Sequence, residues 1–179
     1  MKKENLRDLK KELEILEPED LIKVALRLAK LKTENKELLA YLLFDAEDPL
    51  NYAEGLKEDV LSPFNGEFQT TYHFTKSIRK SLRLIAKYLR FTSNRQGETE
   101  LLLFLVNAYH QNYKHQYRTA ALSKIVFRCL EKAETNISKL HEDLQADYTE
   151  TLNDLLTKSQ NRLGAERPET KGFFKRFEF

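Results

Sequence analysis

Apolar residues recur along this chain at intervals of three and four, the spacing that lines one face of an α-helix. Leu6, Leu9, Leu13 and Leu16 form the first such stripe, with charge on the other faces. Pro18 interrupts it. Proline is tolerated in a first helical turn, and Glu17, Glu19 and Asp20 complement the positive end of a helix dipole, so a second helix is expected here with Leu21, Val24, Leu28 and Leu31 as its stripe. Residues 33–35 read as a break before a mostly buried run through Leu38, Leu39, Tyr41, Leu42, Leu43 and Phe44. Asp48 followed by Pro49 is an N-cap and first-turn signal, and Leu50, Ala53, Leu56 and Val60 continue at helical spacing to Ser62 and Pro63. Asn65 and Gly66 then form a turn.

From residue 68 to 91 the pattern predicts a long amphipathic helix with Ile78, Leu82, Ile85 and Leu89 as its apolar stripe. The next helix, from Glu98 to about His115, opens with a run from Leu101 to Val106 that is apolar on every side, which marks it as the central element of the core. Neither Gly nor Pro occurs between Glu98 and Leu163, so later breaks rest on periodicity alone. Leu122, Val126, Cys129, Ala133, Ile137, Leu140, Leu144, Tyr148, Leu152 and Leu155 keep one phase, as expected of one very long helix or of two helices sharing it, after a turn near residues 115–118. The predicted fold is all-α, an antiparallel multi-helix bundle or irregular helical-repeat-like array of seven to eight helices. It comprises a single helical domain at 1–164, closed by Gly164, and a mobile basic and aromatic tail at 165–179.

Composition supports this picture: 5 Gly and 4 Pro are too few for the tight turns of an all-β fold. The lone Cys129 forms no intramolecular disulfide, and neither a signal peptide nor a membrane span is legible, which together point to the cytoplasm. Charge changes the picture more. Residues 72–128 carry 11 Lys or Arg against 2 Asp or Glu, whereas residues 1–67 carry 11 against 16. Lys76, Lys80, Arg83, Lys87 and Arg90 fall within an arc of roughly 80° at 100° per residue. With Arg79 beside them, and Arg95, Lys114 and Arg118 on neighbouring elements, they form the candidate interaction surface. A solvated face or a contact with an unidentified protein partner is the simpler account of them. A nucleic acid is the alternative, with Tyr72, Tyr88 and Phe91 as stacking candidates.

Other constellations offer less chemistry. Isolated glycines supply no phosphate-binding loop, and His73, His110, His115 and His141 stand in no HExxH or ExxH arrangement. No cofactor, metal or catalytic residue is assigned. Cys129 lies within an apolar stripe, where a thiol packs as a small hydrophobe. Asp143, Asp147, Glu150 and Asp154 line a helical face that is solvated, matched to the basic arc or, as the least favoured reading, cation-binding. In the tail, Phe173, Phe174, Phe177 and Phe179 among Lys171, Lys175 and Arg176 form a candidate anchor that docks back on the bundle, grips a partner or touches an anionic surface.

The ordered segments LKKELEILEPEDLIKVALRLAKL, ENKELLAYLL, ETELLLFLVNAY and KLHEDLQADYTETLNDLL resemble a family of small all-helical bacterial proteins of unknown function. That resemblance implies an all-α fold in a bacterial cytosol and carries over no catalytic residue. The expected role is a noncatalytic interaction or scaffold module using the basic helix, the tail or both. A nucleic-acid-binding accessory protein comes second, and a helical enzyme with a site assembled from distant residues third.

Overall fold

Helix starts follow the local chemistry of the chain. In the computed structural model, which describes residues 4–66, 70–112 and 119–163, Asn5, Asp48, Thr70, Asn94 and Thr119 each cap a helix by accepting a hydrogen bond from the backbone N–H three residues on. The helices are α1 (Leu6–Glu14), α2 (Pro18–Leu31), α3 (Thr33–Phe44), α4 (Pro49–Gly55), α5 (Lys57–Leu61), α6 (Thr71–Thr92), α7 (Arg95–Gln111), α8 (Ala120–Ile137) and α9 (Glu142–Leu163), with a 3-10 turn at Ser62–Phe64. Every described element is helical, and the chain is an all-α helical array, as the spacing predicts.

Boundaries differ from expectation where no strong local signal exists. Residues 33–35 are not a break: Lys32 alone is extended, and Thr33 already opens α3. The helix expected from Pro49 to Val60 divides because the Leu56 N–H reaches Ala53 O at 3.1 Å, tightening the chain by one residue. The phase-sharing run after Leu122 is two helices, turned without Gly or Pro by short-range bonds from Lys139 N–H to Asn136 O and from Leu140 N–H to Ile137 O, each 2.9 Å. Ser93 ends α6 in the left-handed region, φ 52°, its N–H bonded to Leu89 O at 2.8 Å. The turn expected at residues 115–118 and the tail at 165–179 lie outside the described residues.

The chain divides into two compact units, Met1–Glu47 and Asp48–Phe179. In the first, α2 and α3 pack on each other, and Tyr41 is the only fully buried apolar side chain among its described residues. In the second, α7 packs against α4, α5, α6, α8 and α9. Its apolar run therefore has neighbours on all sides, and Leu101, Leu102, Leu103, Leu105 and Val106 are all buried. Polar contacts give the helix directions. Gly97 at the start of α7 abuts Tyr88 at the end of α6, and Glu98 meets Lys132 and Asn136 at the end of α8, so α7 runs antiparallel to both. Gln96 meets Tyr148 and His110 meets Ser159, so α9 runs parallel to α7. This is the up-and-down order that short connections enforce.

Candidate functional site

The rotation of α6 about its axis is fixed by its buried face. Phe74, Ile78, Ile85 and Tyr88 enter the core, the Ser81 hydroxyl donates to Val60 O at 2.9 Å, and the Tyr88 hydroxyl donates to Pro49 O at 2.9 Å. The opposite face is thereby turned outward. On it Lys76, Arg79, Lys80, Arg83 and Arg90 are exposed, and Lys87 is half-buried with its ammonium 5.9 Å from the Phe91 ring centre. From Lys76 to Arg90 the face extends about 21 Å along the helix. Lys76, Arg79, Lys80 and Arg83 form no ion pair among the described residues. Tyr72, 68% exposed, lies in the same arc one turn before Lys76, whereas Tyr88 is a core residue.

Asp143, Asp147, Glu150 and Asp154 are exposed on α9 and bond to none of those four cations. Two of them are engaged locally: Asp154 pairs with Lys158 at 2.5 Å, and Asp143 lies 3.3 Å from the His141 ring. Arg95 is exposed at the start of α7. Lys114, Arg118, Phe173, Phe174, Phe177 and Phe179 lie outside the described residues.

An open groove of about 400 Å³ runs between α7 and α9 and is lined by Lys57, Glu100, Phe104, Asn107, Tyr148 and Asp154. Its ionisable groups are engaged within the chain, Asp154 by Lys158. Tyr148 donates to Glu100 at 2.5 Å and accepts from Gln96 at 3.0 Å; Lys57 pairs with Glu54 and sits 5.3 Å from the Phe104 ring centre. Burial, and then the Glu100 carboxylate, raise the Tyr148 phenol to about 12, so it stays protonated at neutral pH and serves as a donor. Comparison with known proteins supplies no relative. No family model, curated protein or solved structure matches the chain.

The most unusual polar residues are buried and were not legible beforehand. Glu98 is fully buried in a leucine-rich helix, where Lys132 and Asn136, the latter at 2.8 Å, satisfy its two oxygens. Sequence offered a weak clue: Lys132 and Asn136 are four apart and share one helical face. His110 is also buried. The Ser159 hydroxyl donates to Leu155 O at 2.7 Å, so it accepts from His110 Nε2–H at 2.8 Å and leaves Nδ1 without a hydrogen-bond partner. Burial, then Arg162 and Lys158, push this imidazole down to about 4 against a weaker opposing pull from Asp154. Ser159 is itself fully buried, so this serine and histidine lock α7 to α9 and present no nucleophile to solvent. Cys129, packed in the core as the apolar spacing indicates, is pushed up to about 12 by burial and is an inert thiol. Among the described residues no group of His, Cys, Asp and Glu could hold a metal ion, and no helix is long and apolar enough to cross a membrane.

Proposed function

We infer that the chain is a noncatalytic interaction module whose recognition surface is the cationic face of α6, and that its partner presents acidic side chains. One observation carries this reading: Lys76, Arg79, Lys80 and Arg83 project from a firmly seated helix and pair with no carboxylate among the described residues. Neutralising such a row with an acidic surface lowers mutual repulsion among the cations and speeds encounter at low salt. The groove between α7 and α9 supports the same reading, because Tyr148 and Glu100 are bonded to each other and Lys57 is paired with Glu54. The segment with Phe173, Phe174, Phe177 and Phe179 is a second handle for the same partner, and the bacterial cytosolic setting implied by the resemblance belongs to this reading.

A second reading is favoured by Tyr72, whose exposed ring shares the arc and would stack on a base while the cations hold phosphates. A salt titration with two probes, an acidic peptide and a labelled single-stranded oligonucleotide, separates them. The primary reading expects salt-sensitive capture of the peptide that the combined variant K76E/K80E/R83E abolishes while helicity is retained. Capture of the oligonucleotide alone, with affinity falling by orders of magnitude on raising salt, moves the assignment to nucleic acid. Peptide binding that survives the charge reversal refutes the proposed surface.

A further inference from the structure

The Met1–Glu47 unit lacks a core of its own. α1 and α2 have no buried residue, and the stripes Leu6, Leu9, Leu13, Leu16 and Leu21, Val24, Leu28, Leu31 stand open to solvent. Leu6 is 85% exposed, Ile15 75%, Leu31 70% and Phe44 81%. What covers part of α2 and α3 is modest: Ala25, Ala29, Leu38 and Leu39 are half-buried, and every member of the two stripes is exposed. Units near this size with so little buried apolar surface usually need a disulfide, a metal or association to hold their fold. The only cysteine, Cys129, belongs to the other unit, and no metal cluster exists among the described residues.

The eight side chains of the two stripes present about 700–800 Å² of accessible surface, against about 300–600 Å² for the largest patch on an ordinary monomer and about 800 Å² per partner in a stable interface. The area is therefore that of an interface. Charge narrows the occupant. On α1 the exposed Arg7, Lys10 and Lys11 balance Asp8, Glu12 and Glu14, with Lys10 and Glu14 paired at 3.5 Å. On α2 Glu17 at the N-cap, Glu19 and Asp20 balance Lys23, Arg27 and Lys30, with Lys23 and Asp20 paired at 2.8 Å. Such a surface selects neither an acidic nor a basic partner, and it does not repel its own copy. Both stripes alternate three and four residues, the spacing at which a helix packs its knobs into the holes of a like helix. A surface that is apolar, charge-balanced and self-matching in period suits a closed two-fold contact.

We propose that α1 and α2 are a dimerisation element that buries its leucine stripes against α1 and α2 of a second copy of this chain. The contact is independent of the cationic face of α6. The test is the mass of the full chain by sedimentation equilibrium over a wide concentration range, together with co-purification of two differently tagged copies. Wild type is expected at twice the 21.1 kDa chain mass, and L9D/L13D/V24D/L28D at the chain mass with the buried core of the second unit still giving a cooperative melt. These positions are exposed in the single chain, so the substitutions remove no core contact. A wild type that stays at 21.1 kDa and does not carry its tagged twin overturns the proposal, as does a variant that remains dimeric. K76E/K80E/R83E serves as the control: it is expected to leave the dimer intact, so failure of peptide capture and failure of dimerisation are read separately.

Discussion

Acid should weaken this protein through His110 in a window set by its burial. The imidazole is lowered from 6.5 to about 4, chiefly because burial disfavours the charged ring and then because Arg162 and Lys158 face it. Unfolded chains take up the proton as pH falls below 6.5, whereas the folded chain resists until about 4. Stability is therefore complete above 6.5, declines between 6.5 and 4, and levels off below that range. The full difference corresponds to about 3 kcal/mol, of which about 2 kcal/mol is lost between pH 7 and pH 5. His110→Gln is the reference, because every other ionisable group is common to both proteins: its amide still donates to Ser159 but takes up no proton. Urea unfolding followed by circular dichroism at pH 7 and pH 5 should show wild type losing about 2 kcal/mol more than His110→Gln. Equal losses in the two proteins would refute the account of His110 as a buried neutral ring.

Other substitutions test the packing around α7. Gly97→Ala would add a Cβ 2.6 Å from Tyr88 Cζ and closer still to its hydroxyl, in a ring that is 1% exposed. It should destabilise by about 1–3 kcal/mol despite the roughly 1 kcal/mol that Ala normally gains over Gly in a helix; a rise in thermal midpoint would show that Tyr88 yields. Lys132→Met leaves the Glu98 carboxylate buried beside Asn136 alone, and chemical unfolding should register a loss of about 3 kcal/mol that the added change Glu98→Gln largely restores. Additive losses in that double variant would mean the pair is not coupled. The thiol of Cys129 should react with an aromatic disulfide reagent only on unfolding, at the rate of global opening; rapid labelling of the native chain would contradict its burial.

Much of the candidate surface was legible beforehand because it depends on one helix. The arc of cations on α6 needs only the rise and rotation of an α-helix, together with the apolar residues that seat its far side. The internal match between that arc and Asp143 to Asp154 was open in sequence, since it depends on where α9 lies. The structure places those carboxylates out of bonding reach of Lys76, Arg79, Lys80 and Arg83. The contact of buried Glu98 with Lys132 and Asn136 was not legible because Glu98 lies more than thirty residues from both and each reads alone as an ordinary helical polar residue.

Local chemistry determined the all-α class, the caps at Asp48 and Pro49, and the central standing of α7, because capping and apolar periodicity act within a few turns of one helix. Packing decided everything that required two helices to meet. The run from Leu122 to Leu155 carries the same period whether it is one helix or two, and only the folded chain chooses the turn after Ile137. The leucine stripes of α1 and α2 have the same grammar as the stripe of α6, yet they stand exposed while Ile78 and Ile85 are buried. Period states that a face is apolar; burial depends on whether another surface is there to cover it.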